Sequence, residues 1–156
     1  MTIFPEGTCT NNTCLIKYRR GAFYDLRAIT PVSVKYKFGM VSPAIDALEM
    51  SYMCFLVCAC VQNIVAEVYE LPAFEPNDYL YEKHADKGKE KWEIFAWATR
   101  DAVAKVGGFG QHDLNFKERI ATYDYYTGKK NTLTFSDGAV VNFREDGDYT
   151  EKRKTD

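Results

Sequence analysis

The chain has 156 residues, of which 46% are hydrophobic, 15% aromatic and 27% charged, with a formal net charge of −2. That length supports one domain with a real core, burying roughly 70% of its unfolded surface, and leaves no room for two comfortable ones. The nearly neutral balance excludes a global pull toward nucleic acid or anionic lipid, so any electrostatic partner must be recognised locally.

Ile3 and Phe4 read as the end of a buried strand. Pro5 and Gly7 then force a turn that presents Glu6, Thr8 and bare backbone N–H groups, at the end of the strand where open α/β sheets bind ligands. At average amino-acid usage the word Phe4-Pro5-Glu6-Gly7-Thr8 arises by chance roughly once in two million positions. Met1 to Phe4 has neither the basic region nor the apolar length of a signal sequence. Asn11 and Asn12 suit a loop through their own backbone hydrogen bonds. Residues 16–23 predict a short helical or irregular segment that carries Lys17, Arg19, Arg20 and Gly21, and residues 28–36 predict a β-branched strand in which Pro31 marks a start or an unpaired position rather than a central ladder site.

Ser42-Pro43 is a helix start, serine capping and proline in first position. The recurrence of Ile45, Leu48, Tyr52, Phe55, Leu56 and Cys60 predicts a helix over 44–60, packed on the sheet. Its apolar run 53–61 is far shorter than the roughly 20 residues that cross a bilayer. Residues 64–71 alternate as a third strand ended by Pro72, and residues 90–106 carry a helical stripe of Trp92, Phe95, Ala96, Thr99, Val103 and Val106. Gly107-Gly108-Phe109-Gly110 follows a helix rather than a strand and lacks a Gly-Lys-Ser/Thr ending, so it stops that helix and is no phosphate loop. A last helix over 114–123 precedes a hairpin, in which Thr132-Leu133-Thr134-Phe135 and Val140-Val141-Asn142-Phe143 flank an Asp137-Gly138 turn. The charged tail 144–156 reads as disordered. The sum is an α/β chain: a partial, mostly parallel sheet with packed helices, then helices and a C-terminal β-hairpin. The boundaries fall at 1–110, 111–143 and 144–156.

The five cysteines, Cys9, Cys14, Cys54, Cys58 and Cys60, are odd in number and form no Cys-x-x-Cys pair. They imply reduced thiols facing the cytosol, the last three as small buried hydrophobes, and no metal site. His84 and His112 both read as solvated surface residues.

The turn word, the spaced Lys17-Tyr18-Arg19-Arg20-Gly21-Ala22-Phe23 and the later Pro31-Val32-Ser33-Val34 together resemble the third and fourth sequence blocks of the glycerolipid acyltransferases. The likeness is greatest to the acyl-CoA-dependent lysophospholipid branch. It is close over residues 1 to about 36 and weaker to about 110. It implies transfer of an acyl group from acyl-CoA, as co-substrate, to a lysophospholipid hydroxyl, with no metal and no other cofactor. It also implies a substrate-binding role for Phe4, Pro5, Glu6, Gly7, Thr8, Lys17, Arg19, Arg20, Gly21 and Pro31. Cys9 stands where the family often has arginine, and Lys17, Arg19 and Arg20 are the replacement cations for phosphate. Read without the family, the same cluster is simply a solvated charged face.

The family's catalytic base is the histidine of a His-x4-Asp block that precedes the turn word. Here both histidines follow it, and the fifth residue after each is a lysine, Lys89 and Lys117. No base is therefore assigned, and the chain is expected to be an inactive, incomplete part of an enzyme at the cytosolic face of the endoplasmic reticulum membrane. The alternative is a non-catalytic lipid- or acyl-CoA-binding protein, or a truncated one. Single-stranded nucleic acid is not an expected partner, since one short basic-aromatic cluster in a net acidic chain is too little.

Overall fold

The computed structural model describes residues 1–10, 12–39, 56, 59–60, 63–126, 128–135, 138, 140–143 and 149–152. In chain order the elements are β1 (Cys14–Leu15), a 3-10 turn (Arg20–Ala22), β2 (Val32–Lys37), β3 (Val65–Glu70), α1 (Asp78–Lys83) and a second 3-10 turn (Ala85–Lys87). Then follow α2 (Lys91–Gly107), β4 (Gly110–Gln111), α3 (Phe116–Tyr126), β5 (Thr132–Thr134), β6 (Val140–Phe143) and β7 (Tyr149–Lys152). The class is mixed α/β, as expected. Among the described residues only β1 and β4 pair parallel, whereas β2 and β3 pair antiparallel and β5, β6 and β7 form an antiparallel meander.

The sequence of α2 fixes both of its ends. Glu90 and Glu93 form a reciprocal capping box, and Gly108 leaves the helix at φ 63°, a left-handed conformation that glycine enters without a Cβ penalty. The Phe109 N–H donates to the Ala104 carbonyl at 2.9 Å, closing a Schellman motif, and the Phe109 ring packs against Leu15, Val103 and Ala104. The Lys35 ammonium donates to the Gly107 carbonyl at 2.8 Å, where the negative end of the helix dipole favours a cation. Gly107 is obligatory for the approach of β2: a Cβ there would stand 2.5 Å from the hydroxyl of fully buried Ser33.

Phe95 lies at the centre of the main core. It is fully buried, edge-on to Phe23 at 5.3 Å and to Phe74 at 5.2 Å between ring centroids. Edge-to-face rings add to the burial energy through their quadrupoles. Ala96, Tyr18, Ile29, Leu80 and Trp92 complete the cluster. The buried stripe of α2 is rotated from the expected one: Val106 is 47% exposed, while Arg100 and Ala104 are buried.

Four further expectations change. Residues 1–4 are not a strand, because among the described residues no neighbouring strand offers them a ladder. Ile16, read as the start of a helical or irregular segment, is buried together with Leu15, and Leu15 pairs with Gln111 in a strand not expected there. Within the charged tail, Tyr149–Lys152 pairs on β6 in place of the expected disorder, the β-favouring Tyr149 and Thr150 standing opposite Phe143 and Asn142. Cys60 is exposed rather than buried. The helix expected over 44–60 lies outside the described residues except for Leu56, Ala59 and Cys60, all three helical, and Cys54 and Cys58 lie outside them too.

Candidate substrate-binding site

Phe4-Pro5-Glu6-Gly7 forms a turn closed by the Gly7 N–H donating to the Phe4 carbonyl at 3.1 Å. The turn is fastened to the strand-like segment after β1 at two points. The Arg19 N–H donates to the Pro5 carbonyl at 2.7 Å, and the Ile16 N–H donates to Oε2 of Glu6 at 3.1 Å. The positive φ of Gly7, 69°, turns the chain, and the bare Cα admits a side chain: a Cβ on Gly7 would lie 2.8 Å from Cδ of Arg19. The Arg19 guanidinium thus passes over Gly7 and stacks 4.6 Å above the Phe116 ring at the start of α3.

Burial raises the Glu6 carboxyl above its ordinary pKa, opposed by the Ile16 N–H and by the charge of Arg100. Tyr18 is also pushed up, first by burial and then by the Glu6 charge, so its phenol stays protonated. Arg100 is buried at 7% exposure. It donates from Nη1 to the His112 carbonyl at 3.2 Å and reaches Oδ1 of Asp113 from Nη2 at 3.5 Å. The sequence reading passed over Arg100. Its signal was a cation four residues from both Ala96 and Ala104 on a helix face otherwise committed to the core.

The predicted site residues do not all converge. Pro5, Glu6, Gly7 and Arg19 come together. Phe4 points away at 80% exposure, and the hydroxyl of half-buried Thr8 makes only a long bond, 3.5 Å, to the Cys9 carbonyl. The three cations separate. Lys17 lines a cleft against α2, Arg19 lies over the turn, and Arg20 stacks 4.7 Å over the Tyr24 ring. Gly21 has open space where a Cβ would stand. Pro31 is buried at the entry to β2, and its carbonyl accepts from the Leu71 N–H at 2.9 Å. No hydrogen bond or ring contact joins Gly21 or Pro31 to the turn among the described residues.

Neither histidine side chain has a hydrogen bond or ring contact to the turn among the described residues. His84 is half-buried against the Trp97 ring at 5.0 Å, and Nδ1 of exposed His112 accepts from the Leu114 N–H at 3.2 Å. Among the described residues no group of three His, Cys, Asp or Glu could hold a metal, and no helix is long and apolar enough to cross a membrane.

No family model matches the chain, and no solved structure matches it. Curated proteins do. A lysophosphatidylcholine acyltransferase of Drosophila melanogaster is 31% identical over 122 residues, covering 77% of this chain and 21% of that protein. A lysophospholipid acyltransferase of Arabidopsis thaliana is 28% identical over 118 residues, 75% of this chain and 27% of that protein. A glycerol-3-phosphate acyltransferase 3-like protein of Danio rerio is 35% identical over 107 residues, 68% of this chain and 22% of that protein. The chain spans about a fifth to a quarter of the length of these relatives. By these likenesses this stretch of chain belongs to the glycerolipid acyltransferase family.

Proposed function

We propose that the chain is the acceptor-binding part of a glycerolipid O-acyltransferase that moves an acyl group from acyl-CoA to a lysophospholipid hydroxyl at the cytosolic face of the endoplasmic reticulum membrane. In that reaction the hydroxyl oxygen bonds to the thioester carbonyl carbon, the carbon–sulfur bond breaks, and coenzyme A leaves as the thiolate, which the protonated base then converts to the thiol. The hydroxyl proton passes to a base that neither histidine of this chain supplies. The residues here bind and orient. The bare Cα of Gly7 seats the Arg19 side chain, Glu6 is fixed beside Ile16, and the Arg19 guanidinium offers its donor fork to the acceptor's phosphate.

The observation that carries this reading is Arg19, seated over Gly7 and Phe116 with no carboxylate partner among the described residues. The purified chain should bind lysophosphatidic acid and lysophosphatidylcholine presented in vesicles, without turnover of added acyl-CoA. Arg19→Ala should weaken that binding about tenfold, the loss of one charge-assisted contact. Absence of lipid binding would overturn the acceptor role, and sustained acyl-CoA-dependent acylation by the chain alone would overturn its inactivity. Neither histidine side chain has a hydrogen bond or ring contact to the turn among the described residues, which favours a second reading, a lipid- or acyl-CoA-binding protein that performs no transfer. Adding a separate polypeptide that carries a His-x4-Asp block discriminates: restored turnover supports the enzyme, and binding unchanged by it supports the second reading.

A further inference from the structure

We propose that the cleft between α2 and residues 85–89 is a second oxyanion site, separate from the turn, that takes a phosphate group. The cleft has a volume of about 900 Å³, and its lining includes Lys17, Lys89, Arg100, Trp92 and Trp97. The chain as a whole is net acidic, yet here the cations are the groups with capacity left over.

Three carboxylates also line the cleft, and each is engaged. Asp86 pairs with Lys87 at 2.7 Å. Glu93 accepts from the Lys89 and Glu90 backbone N–H groups at 2.6 and 3.2 Å as part of the cap of α2. Asp113, 81% exposed, meets Arg100 only at 3.5 Å. Lys17 and Lys89 have no carboxylate partner among the described residues.

Arg100 is the group that most needs an anion. Its side chain is 8% exposed, and its Nε, out of contact with water, has no hydrogen-bond acceptor among the described residues. Nη1 donates to the His112 carbonyl and the Glu6 carboxylate lies within Coulombic reach, yet with one long ion pair and an orphaned Nε the buried guanidinium has given up water without full replacement. A phosphate in the cleft gives Arg100 and Lys17 a common acceptor with three or more oxygens, the geometry that charge-assisted forks fit. Asp113 is exposed on the surface side of Arg100 and can turn to water without leaving a buried charge behind.

The cleft holds both tryptophans of the chain, Trp92 and Trp97, so intrinsic fluorescence reports on it directly. Phosphate binding is read there whether or not the chain takes part in acyl transfer. Inorganic pyrophosphate, titrated into the full chain at constant ionic strength, should change the emission saturably with a Kd tighter than about 1 mM. Lys17→Ala should weaken it about tenfold, whereas Arg27→Ala, which removes the same charge from an exposed site elsewhere, should leave it unchanged. Arg100→Gln should abolish the response. Should that variant fail to fold, as its circular dichroism would show, exposed Lys17 carries the test alone.

ADP and glycerol 3-phosphate, titrated separately, identify the source of the phosphate. Tighter binding of ADP assigns the site to the phosphates of a nucleotide-bearing acyl donor, and tighter binding of glycerol 3-phosphate assigns it to a lipid head group. No saturable change with pyrophosphate, or equal weakening by Lys17→Ala and Arg27→Ala, overturns the proposal.

Discussion

The turn at residues 4–7 and helix α2 both supply groups to the candidate sites, and they are held by opposite means. α2 is capped at both ends and buries Phe95 completely between two other rings. The turn leaves Phe4 80% exposed and rests on three hydrogen bonds: its own closure, Arg19 to Pro5, and Ile16 to Glu6. Each such bond contributes on the order of 1 kcal/mol net. The helix is therefore the scaffold, and the turn is a docked piece whose chemistry can change with little effect on the fold. Two of the three bonds join backbone to backbone and the third uses the Glu6 carboxylate, which leaves the Arg19 guanidinium seated on Gly7 available to a ligand.

Truncation of the core should give the largest effect. Phe95→Ala removes the ring on which Phe23 and Phe74 converge and should cost about 3–5 kcal/mol in urea unfolding. A loss below about 1 kcal/mol would mean that α2 is not the scaffold.

A matched pair of glycines sharpens the contrast. Gly7 and Gly108 have nearly the same backbone, φ 69° and 63°, so alanine at either should cost about 1–2 kcal/mol of stability. Their surroundings differ. A Cβ at Gly108 meets only the flexible tip of Lys35 at 3.3 Å, while one at Gly7 drives into Arg19 at 2.8 Å. Gly7→Ala should therefore also weaken lysophospholipid binding, and Gly108→Ala should not. Equal binding by the two variants would separate Arg19 from the acceptor site.

How much of this could be read from residues alone depended on whether the signal was local. The turn was legible because proline, glycine and their neighbours form a single word, and the ends of α2 were legible because caps and breakers act within four residues. The β5–β6 hairpin followed from its Asp-Gly turn for the same reason. Non-local pairing was not legible. The parallel bridge of Cys14 to Gly110 joins positions far apart in the chain, and neither two-residue strand has a period to detect. The three cations from Lys17 to Arg20 read as one cluster because they are close in sequence, but the extended and 3-10 backbone sends them to three different places. Arg100 was hidden inside an apolar stripe, where its stem packs like a hydrophobe and its head finds the His112 carbonyl.

The smallest expected effect is one of sign, and it comes from comparing a carboxylate of each region. Burial raises Glu6 in the turn, whereas the hydrogen bond from Lys105 lowers Asp101 on the surface of α2. A carboxyl raised on folding binds its proton more tightly in the native state. The Glu6 contribution is thus fully present below the ordinary value of 4.5 and is lost as pH rises through the folded value. Asp101 acts in the other direction: its contribution is present above 3.8 and is lost as pH falls through its lowered folded value. Glu6→Gln keeps an oxygen for the Ile16 N–H and cannot ionise, so its stability should decline less than that of the parent as pH rises from the ordinary value of 4.5 through the raised folded value. Asp101→Asn should instead flatten the acid limb below about pH 4. Urea midpoints measured across that range give both slopes. If Glu6→Gln runs parallel to the parent, Arg100 fully compensates the buried carboxylate, and the turn is held by charge rather than by its backbone.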